Sequence, residues 1–297
     1  MTPGAIAVTG ASGRLGSALV ARLENDGRAV RGWSRPEYDL DRPRSVERLV
    51  RRDRPSVVVH TAAWTDVDGC ARDPALAIRR NGRAVGVLAR ACRQVGIGLV
   101  LISTNEVFDG RRTDRRGYVE TDVPNPINPY GVSKLEGERL AAEAYRARLP
   151  DLAERGLWIV RTGWLFGAPG VDYPRKILAA APRLAPGDAL RVVEDEIGCP
   201  TYATDLAESI LRLVEVTPGG LFHLVNRGAV SRFEWAAGVL KRCGHNVPLE
   251  PIRQAAFVRA STPPAWAVLD TRRAEGLGIA MRPWEDAFDA YAPDLCA

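Results

Sequence analysis

The first twenty-five residues restrict the fold more than any other stretch of the chain. Ala5-Ile-Ala-Val-Thr9 is a short apolar run, Gly10-Ala-Ser-Gly13-Arg-Leu-Gly16 follows at once, and an amphipathic stretch continues to about Asn25. This order reads as strand, glycine-rich turn and helix. In such a unit Gly10 permits the tight turn, Gly13 lets backbone approach a pyrophosphate, and Gly16 allows close helix–strand packing, with the phosphates at the helix N-terminus. A dinucleotide is therefore the predicted ligand, with Ser12, Arg14 and Leu15 of the same turn beside it. A merely structural turn is the competing reading, and the placement between a strand and a helix at the start of the chain weighs against it.

The alternation then repeats. Ala29-Val-Arg-Gly32 reads as a second strand and Pro43 to Arg52 as a helix; Ser56-Val-Val-Val-His60 follows, then helical periodicity from Pro74 to Val95 and a strand from Gly98 to Ser103. The runs at 56–60 and 98–103 are too continuously apolar for half-exposed strands, which places them inside a parallel sheet covered on both faces. Leu157 to Thr162 is another buried strand, and Gly220 to Val225 returns to the sheet. The predicted fold is α/β, a doubly wound parallel sheet of Rossmann type with a smaller substrate-binding lobe. The dinucleotide-binding domain is assigned to 1–162 plus about 204–226, and the lobe to about 163–203 plus 227–297. Within the later regions Thr204 is expected to cap a helix reaching Val216, Ser231 to Cys243 is expected to be helical, and the tail is expected to be irregular.

Composition narrows the partners. The chain has 46% apolar residues, ample for a core, and a net charge of +5 whose arginines are spread over many predicted helix faces, so nucleic acid is not an expected partner. No apolar run approaches the ~20 residues needed to cross a bilayer, and no basic segment followed by a long apolar one opens the chain. Membrane association is not expected. The five cysteines show no C-x-x-C spacing, which argues against a disulfide framework or a zinc site. His60, His223 and His245 are scattered, no metal site is expected, and a reducing cytoplasm is the simplest compartment. Cys199, beside Pro200, reads as structural.

Candidate site residues fall at the carboxyl ends of the predicted strands. The second strand ends in Trp33-Ser34-Arg35 rather than in a carboxylate, which suits a ribose 2′-phosphate and favours NADPH, with NADH as second choice. Asp39 and Leu40 are placed to flank an adenine. Thr61, Ala62, Ala63 and Thr65 lie where a cofactor passes the third strand, and Asn81 lies in the helix that follows. Tyr130-Gly-Val-Ser-Lys134 sets a phenol and an ammonium one helical turn apart. The chain has three lysines, Lys134, Lys176 and Lys241, among 41 basic residues, so this spacing is not cheap to obtain by chance. An ammonium close to a phenol favours the phenolate and makes the tyrosine a better proton donor or acceptor near neutral pH. Thr104, at the end of the fourth strand, can orient the same substrate oxygen.

The set Gly10-x-x-Gly13-x-x-Gly16, Thr104 and Tyr130-x-x-x-Lys134 resembles the extended short-chain dehydrogenase/reductases, and further stretches resemble their dTDP-4-dehydrorhamnose reductase branch. These are Ala62 to Asp68, Ser103 to Gly110, Asn128 to Glu138, Arg161 to Gly167, and Gly198 to Thr201 running into Asp205-Leu-Ala. The resemblance covers nearly the whole chain. It implies reduction of the C4 keto group of a nucleotide-linked 4-keto-6-deoxy sugar by NADPH, in rhamnose or related deoxysugar biosynthesis. Tyr130 would be the proton donor, Lys134 would hold the nicotinamide ribose and lower the tyrosine's pKa, and Thr104 would complete the oxyanion contacts. Val67, Thr104, Asn105, Glu106 and Trp164 would meet substrate, and a homodimer would be a natural assembly. A non-catalytic NADP-binding regulatory subunit and a nucleotide-sugar dehydratase or epimerase are the alternatives.

The chain departs from the branch in two places. Asn105-Glu106 stands where Asp-Tyr is usual, giving a likeness to the Thr-Asp-Glu signature of dehydratases but without the acid that elimination needs. Near the C-terminus Ser261-Thr262-Pro263 stands where an arginine usually precedes the proline, so that either Arg259 or Arg272 compensates or the substrate differs.

Overall fold

The computed structural model describes residues 4–146, 156–185 and 187–296. The chain runs β1 (Ile6–Thr9), α1 (Arg14–Asn25), β2 (Val30–Trp33), α2 (Ser45–Asp53), β3 (Val57–His60) and the short α3 (Val67–Arg72). Next come α4 (Pro74–Ala77), a π-helical turn (Ile78–Arg83) and α5 (Ala84–Gln94), which follow one another without a break, then β4 (Gly98–Thr104), α6 (Pro129–Tyr145) and β5 (Leu157–Thr162). The second half holds β6 (Leu165–Phe166), α7 (Tyr173–Ala180), β7 (Leu190–Val193), β8 (Ile197–Gly198), β9 (Thr201–Tyr202), α8 (Ala203–Val216) and β10 (Gly220–His223). It ends with β11 (Val230–Ser231), α9 (Arg232–Arg242), β12 (Leu249–Ile252), α10 (Arg272–Glu275) and α11 (Trp284–Cys296).

Six strands form one sheet in the order β2-β1-β3-β4-β5-β10, all parallel. Every residue of β1, β3, β4 and β5 is buried, as their largely apolar runs suit strands covered on both faces, with the polar residues gathered at the carboxyl ends. Leu15, Leu19 and Leu23 of α1 pack with Leu206 and Ile210 of α8 on one face of the sheet. Leu49 of α2, Leu88 of α5 and Ala141 of α6 pack on the other. The chain leaves β1 toward β2 and returns to β3 on β1's other side, so the carboxyl ends of β1 and β3 form the crevice where such sheets bind ligands. There the Thr61 hydroxyl donates to the Thr9 carbonyl at 2.7 Å.

The smaller lobe is built from the pairs β6–β9, β7–β12 and β8–β11 with α7, α9 and α11 around an aromatic core of Phe166, Trp235, Phe288 and Tyr291. It differs from the sequence-based expectation in four ways. The tail is not irregular: α11 buries Trp284, Phe288 and Tyr291 in the lobe core, although Pro293 inside it hides its periodicity. The 227–297 stretch is not all lobe, because Ala274, Ile279 and Met281 belong to the core of the large sheet. Thr204 does not cap α8; Tyr202 takes that position and offers no side-chain cap. Finally, Cys243 and Cys296 are disulfide-bonded, 53 residues apart in sequence, and join the C-terminal ends of α9 and α11. A pairing that distant leaves no spacing signal. Cys70, Cys92 and Cys199 are free and buried.

One ion pair lies wholly inside the large domain. Arg161 of β5 meets Glu138 of α6 through two bonds of 2.9 and 2.7 Å, and Ser103 of β4 donates to the same carboxylate at 2.5 Å. Neither charged side chain is more than 1% exposed. Removing one partner of such a pair strands the other charge in low dielectric at a cost of about 3–5 kcal/mol. Arg161→Ala is therefore expected to lower the urea unfolding free energy by about 3–5 kcal/mol, and a loss below about 1 kcal/mol would show that the pair does not carry the packing of α6.

Candidate active site

The cofactor side of the crevice is built as the glycine spacing requires. Gly10 has φ +62°, and a Cβ there would approach the Ala62 Cα to 2.9 Å; at Gly16 it would meet the Gly10 carbonyl oxygen at 2.1 Å. Gly13 is the N-cap of α1 and has no capping side chain, so the first N–H groups of this helix stay open to an anion. The Ser34 hydroxyl accepts from the Ser12 N–H at 3.3 Å, which brings the end of β2 onto the glycine turn. Arg35 is exposed and has no ion-pair partner among the described residues. Asp39 and Leu40 lie half-buried behind it, with the Asp39 carboxylate accepting from the Asp41 N–H at 3.0 Å. Ala62 and Ala63 line the end of β3 half-buried, and Thr65 is exposed beyond them.

Three residues predicted to contact cofactor have other duties for their side chains. Arg14 donates from Nε to the Gly167 carbonyl at 2.6 Å and so ties the start of α1 to the smaller lobe. Leu15 points into the core under α1. Asn81, 1% exposed, accepts from the Trp64 N–H at 2.8 Å and donates to the Trp64 carbonyl and the Ser133 hydroxyl at 3.0 and 3.1 Å. A buried amide with its groups so used is a bracket between the β3 loop and α6.

The reactive groups converge beside it. Asn128 caps α6 by accepting from the Gly131 N–H at 2.8 Å, Pro129 opens the helix, and Tyr130 and Lys134 follow one turn apart. Glycine is needed at 131, where a Cβ would lie 2.1 Å from the Glu106 carbonyl oxygen. Thr104, at the buried end of β4, accepts from the Glu106 N–H at 3.2 Å. Burial pushes the Tyr130 phenol above its ordinary value, the Glu106 charge adds to this, and the neighbouring Thr104 hydroxyl opposes it. The phenol therefore holds its proton in the free protein, against the expectation that Lys134 would favour the phenolate. The lysine is occupied elsewhere, donating to the Ile102 carbonyl at 2.6 Å. Burial lowers its pKa to about 8, partly offset by the Glu138 charge one turn further along α6 and by Cys70.

On the other side of Tyr130 lies a charged pocket. Glu106 accepts from Asn128 Nδ2 at 2.7 Å; burial raises its pKa, while Asn128, Arg232 and Arg259 pull it back. Trp164 stands at φ +48°, a strained conformation for a large residue and one that clusters at functional sites. Its ring is wedged against Gly198, where a Cβ would lie 2.6 Å from the indole, and the Arg232 guanidinium sits 3.5 Å from its centroid. Arg232 also approaches Glu196 at 3.4 Å. Val67, at the start of α3, is half-buried, and next to it Asp68 pairs with Arg259 at 3.1 Å and accepts from the Ser261 N–H. Of the two arginines expected to compensate at Thr262, Arg259 therefore lies on the pocket side, whereas Arg272 pairs with Asp270 and is exposed. Asn105, expected to meet substrate, has its amide bonded within the protein. It is 3% exposed, and its amide donates to the Ala267 carbonyl at 3.0 Å beneath the pocket.

Asn128, Glu196 and Arg232 escaped sequence reasoning. Ser231 and Glu234 form a capping box that places Arg232 in the first turn of α9, a signal legible in the chain, but nothing local aims that guanidinium at Trp164.

A parallel sheet with a glycine turn after β1, and a Thr/Tyr/Lys set at its carboxyl edge, define a Rossmann-type oxidoreductase of the short-chain dehydrogenase/reductase kind. Residues 4–296 match the family described as RmlD substrate binding domain, and the chain belongs to that family. It is 36% identical to a dTDP-4-dehydrorhamnose reductase of Mycobacterium tuberculosis over 289 residues, covering 95% of this chain and 90% of that one. It is likewise 36% identical to one of Streptomyces griseus over 296 residues, covering 97% and 93%. A crystal structure of dTDP-4-dehydrorhamnose reductase from Bacillus anthracis in complex with NADP superposes with a TM-score of 0.89 at 29% identity, covering 98% of this chain and 99% of that one.

Because the chain has three lysines, the Lys134 titration can be isolated. In protein carrying 13Cε-labelled lysine, one signal is expected to titrate near pH 8 and to vanish in Lys134→Met. The sign for stability follows. Between about 8 and the ordinary lysine value of 10.5 the unfolded chain binds the proton more tightly, so the lysine's burden on the fold is full below pH 8 and fades as pH rises across that window. Three lysines all titrating near 10.5 would contradict the burial assigned to Lys134.

Proposed function

We propose that this protein is an NADPH-dependent reductase acting on the C4 keto group of a nucleotide-linked 4-keto-6-deoxy sugar, as a dTDP-4-dehydrorhamnose reductase in dTDP-L-rhamnose or related deoxysugar biosynthesis. The observation that carries this reading is the meeting of Thr104, Tyr130 and Lys134 at the carboxyl edge of the sheet, between the open N-terminus of α1 and the Trp164 pocket. The residues fit the cofactor: glycines leave room for a pyrophosphate at α1, and Ser34 with unpaired Arg35 suits a 2′-phosphate. Bound NADPH supplies the reducing equivalent for the carbonyl carbon.

The chain's own groups do the rest. Tyr130, with its pKa held up by burial, is a protonated donor for the developing alkoxide, and the Thr104 hydroxyl orients the same oxygen. Lys134 presents its ammonium from a fixed place on α6 to a ribose hydroxyl. Glu106, Val67, Trp164, Arg232 and Arg259 shape and charge the pocket for the sugar nucleotide. The large sheet holds the cofactor, the smaller lobe closes over the sugar, and the cytoplasm is the compartment that goes with an NADPH-driven reduction. Elimination chemistry is not favoured, since the Asn105 amide is neither acidic nor free.

Purified protein is expected to oxidise NADPH when given a dTDP-4-keto-6-deoxyhexose, in preference to UDP- and GDP-linked keto sugars. Tyr130→Phe should cut turnover by about 10²–10⁴-fold with cofactor affinity intact. Normal turnover in that variant would remove Tyr130 from its role, and activity on none of the keto sugars would favour a regulatory subunit. Arg35→Asp is expected to weaken NADPH much more than NADH, measured as the ratio of the two dissociation constants. Equal effects would mean that Arg35 does not touch the 2′-phosphate.

A further inference from the structure

The linear sequence scatters its arginines, but the fold gathers a group of them on one flank. α2 and α5 pack side by side on the same face of the sheet. Along α2, Arg44, Arg48 and Arg51 recur at helical spacing, and along the α4–α5 stretch Arg79, Arg83 and Arg90 do the same, each row spanning on the order of 10–17 Å. All six are exposed, and none has an ion-pair partner among the described residues. Hollows of about 530 and 290 Å³ lie along this flank and share Val87, the first lined by Arg79 and Arg83 and the second by Arg44 and Arg90, while Arg48 and Arg51 line an adjoining hollow of about 570 Å³ on α2 that shares Arg44 with the second. Half-buried Leu40, Leu76 and Val87 supply an apolar floor. Two carboxylates lie among the arginines, Asp41 and Glu47, and Asp41 is already taken by Arg80 at 2.5 Å.

A polyanion attracted to this flank would meet an aliphatic floor and no aromatic platform. Single-stranded nucleic acid uses stacking on aromatic rings to gain affinity, and none lines these hollows. An acidic helix matches better. Carboxylates at i, i+4 and i+7 repeat at the spacing of Arg44, Arg48 and Arg51, with Arg79, Arg83 and Arg90 at i, i+4 and i+11 across the groove, and an apolar stripe beside them covers the floor. We propose that the groove between α2 and the α4–α5 stretch docks an acidic amphipathic helix of another protein, its apolar stripe on Leu40, Leu76 and Val87 and its carboxylates on the two arginine rows. The groove lies outside the Tyr130 cleft but shares Leu40 with the pair expected to flank the adenine, so the test substitutions are placed at Arg48 and Arg83, away from that end.

The test uses the full chain and a fluorescent designed peptide with glutamates at i, i+4 and i+7 flanking a leucine stripe, read by anisotropy at low and high salt. This peptide is expected to bind about tenfold more tightly than a scrambled peptide of equal composition, and binding should weaken as salt rises. Arg48→Glu/Arg83→Glu is expected to lose that preference while melting temperature and cofactor affinity match the parent. Equal affinity for the scrambled peptide would overturn the proposal in favour of unspecific charge attraction. Tighter binding of a single-stranded oligonucleotide would overturn it in favour of nucleic acid. Self-association of the protein alone, lost in the same variant, would make the occupant a second copy and would likewise reject the partner proposed.

Discussion

The buried contact between Glu138 and Arg161 holds the active half of this molecule together. A guanidinium and a carboxylate cannot lie inside an apolar domain unless they neutralise each other; the two bonds here do so, with Ser103 as a further donor to the carboxylate, while Arg161 Nη1 finds no hydrogen-bond partner and the guanidinium lies 5.1 Å from the Phe108 ring. Because Glu138 is on α6 and its partners are on β4 and β5, the pair sets the height and rotation of α6 against the sheet. Lys134 is one turn before Glu138 and Tyr130 one turn before that, so the same bond that locks the helix also aims both reactive groups. It further tempers the burial of Lys134, since the Glu138 charge is the largest influence holding that ammonium protonated.

Around this anchor the site is braced by polar side chains bonded across elements. Asn81 clamps the β3 loop to α6, Asn105 ties the end of β4 to the segment at Ala267, and Arg14 ties the first turn of α1 to Gly167 in the smaller lobe. Asn81 and Asn105 are buried amides that must find partners, Arg14 is half-buried, and each bonds to a different element. The strain at Trp164 is supported the same way, by Gly198 behind the ring and the Arg232 guanidinium in front of it.

Legibility in the sequence followed the range of the interaction involved. The strands at 57–60 and 98–104 were readable because full burial writes itself as an unbroken apolar run, and the glycine turn because each missing Cβ answers a local contact. Helix α11 and the Cys243–Cys296 bond were not readable, since one carries a proline and the other spans 53 residues. Motif position places Arg14 and Asn81 near the cofactor, but the bonds their side chains make to Gly167, Trp64 and Ser133 join distant elements and leave no mark in the local sequence.

The sequence by itself determined the doubly wound sheet, the dinucleotide turn at Gly10 to Gly16, and the Tyr130–Lys134 pair with Thr104, because period, glycine placement and helical spacing are local and short-ranged. Tertiary structure alone decided the protonation of that pair, raising the phenol and lowering the ammonium, since desolvation depends on what the fold packs overhead. It also chose Arg259 over Arg272 for the pocket, seated Arg232 on Trp164, and collected scattered arginines into one groove. Those outcomes join residues tens to hundreds of positions apart, and only the closing of the chain sets the distances between them.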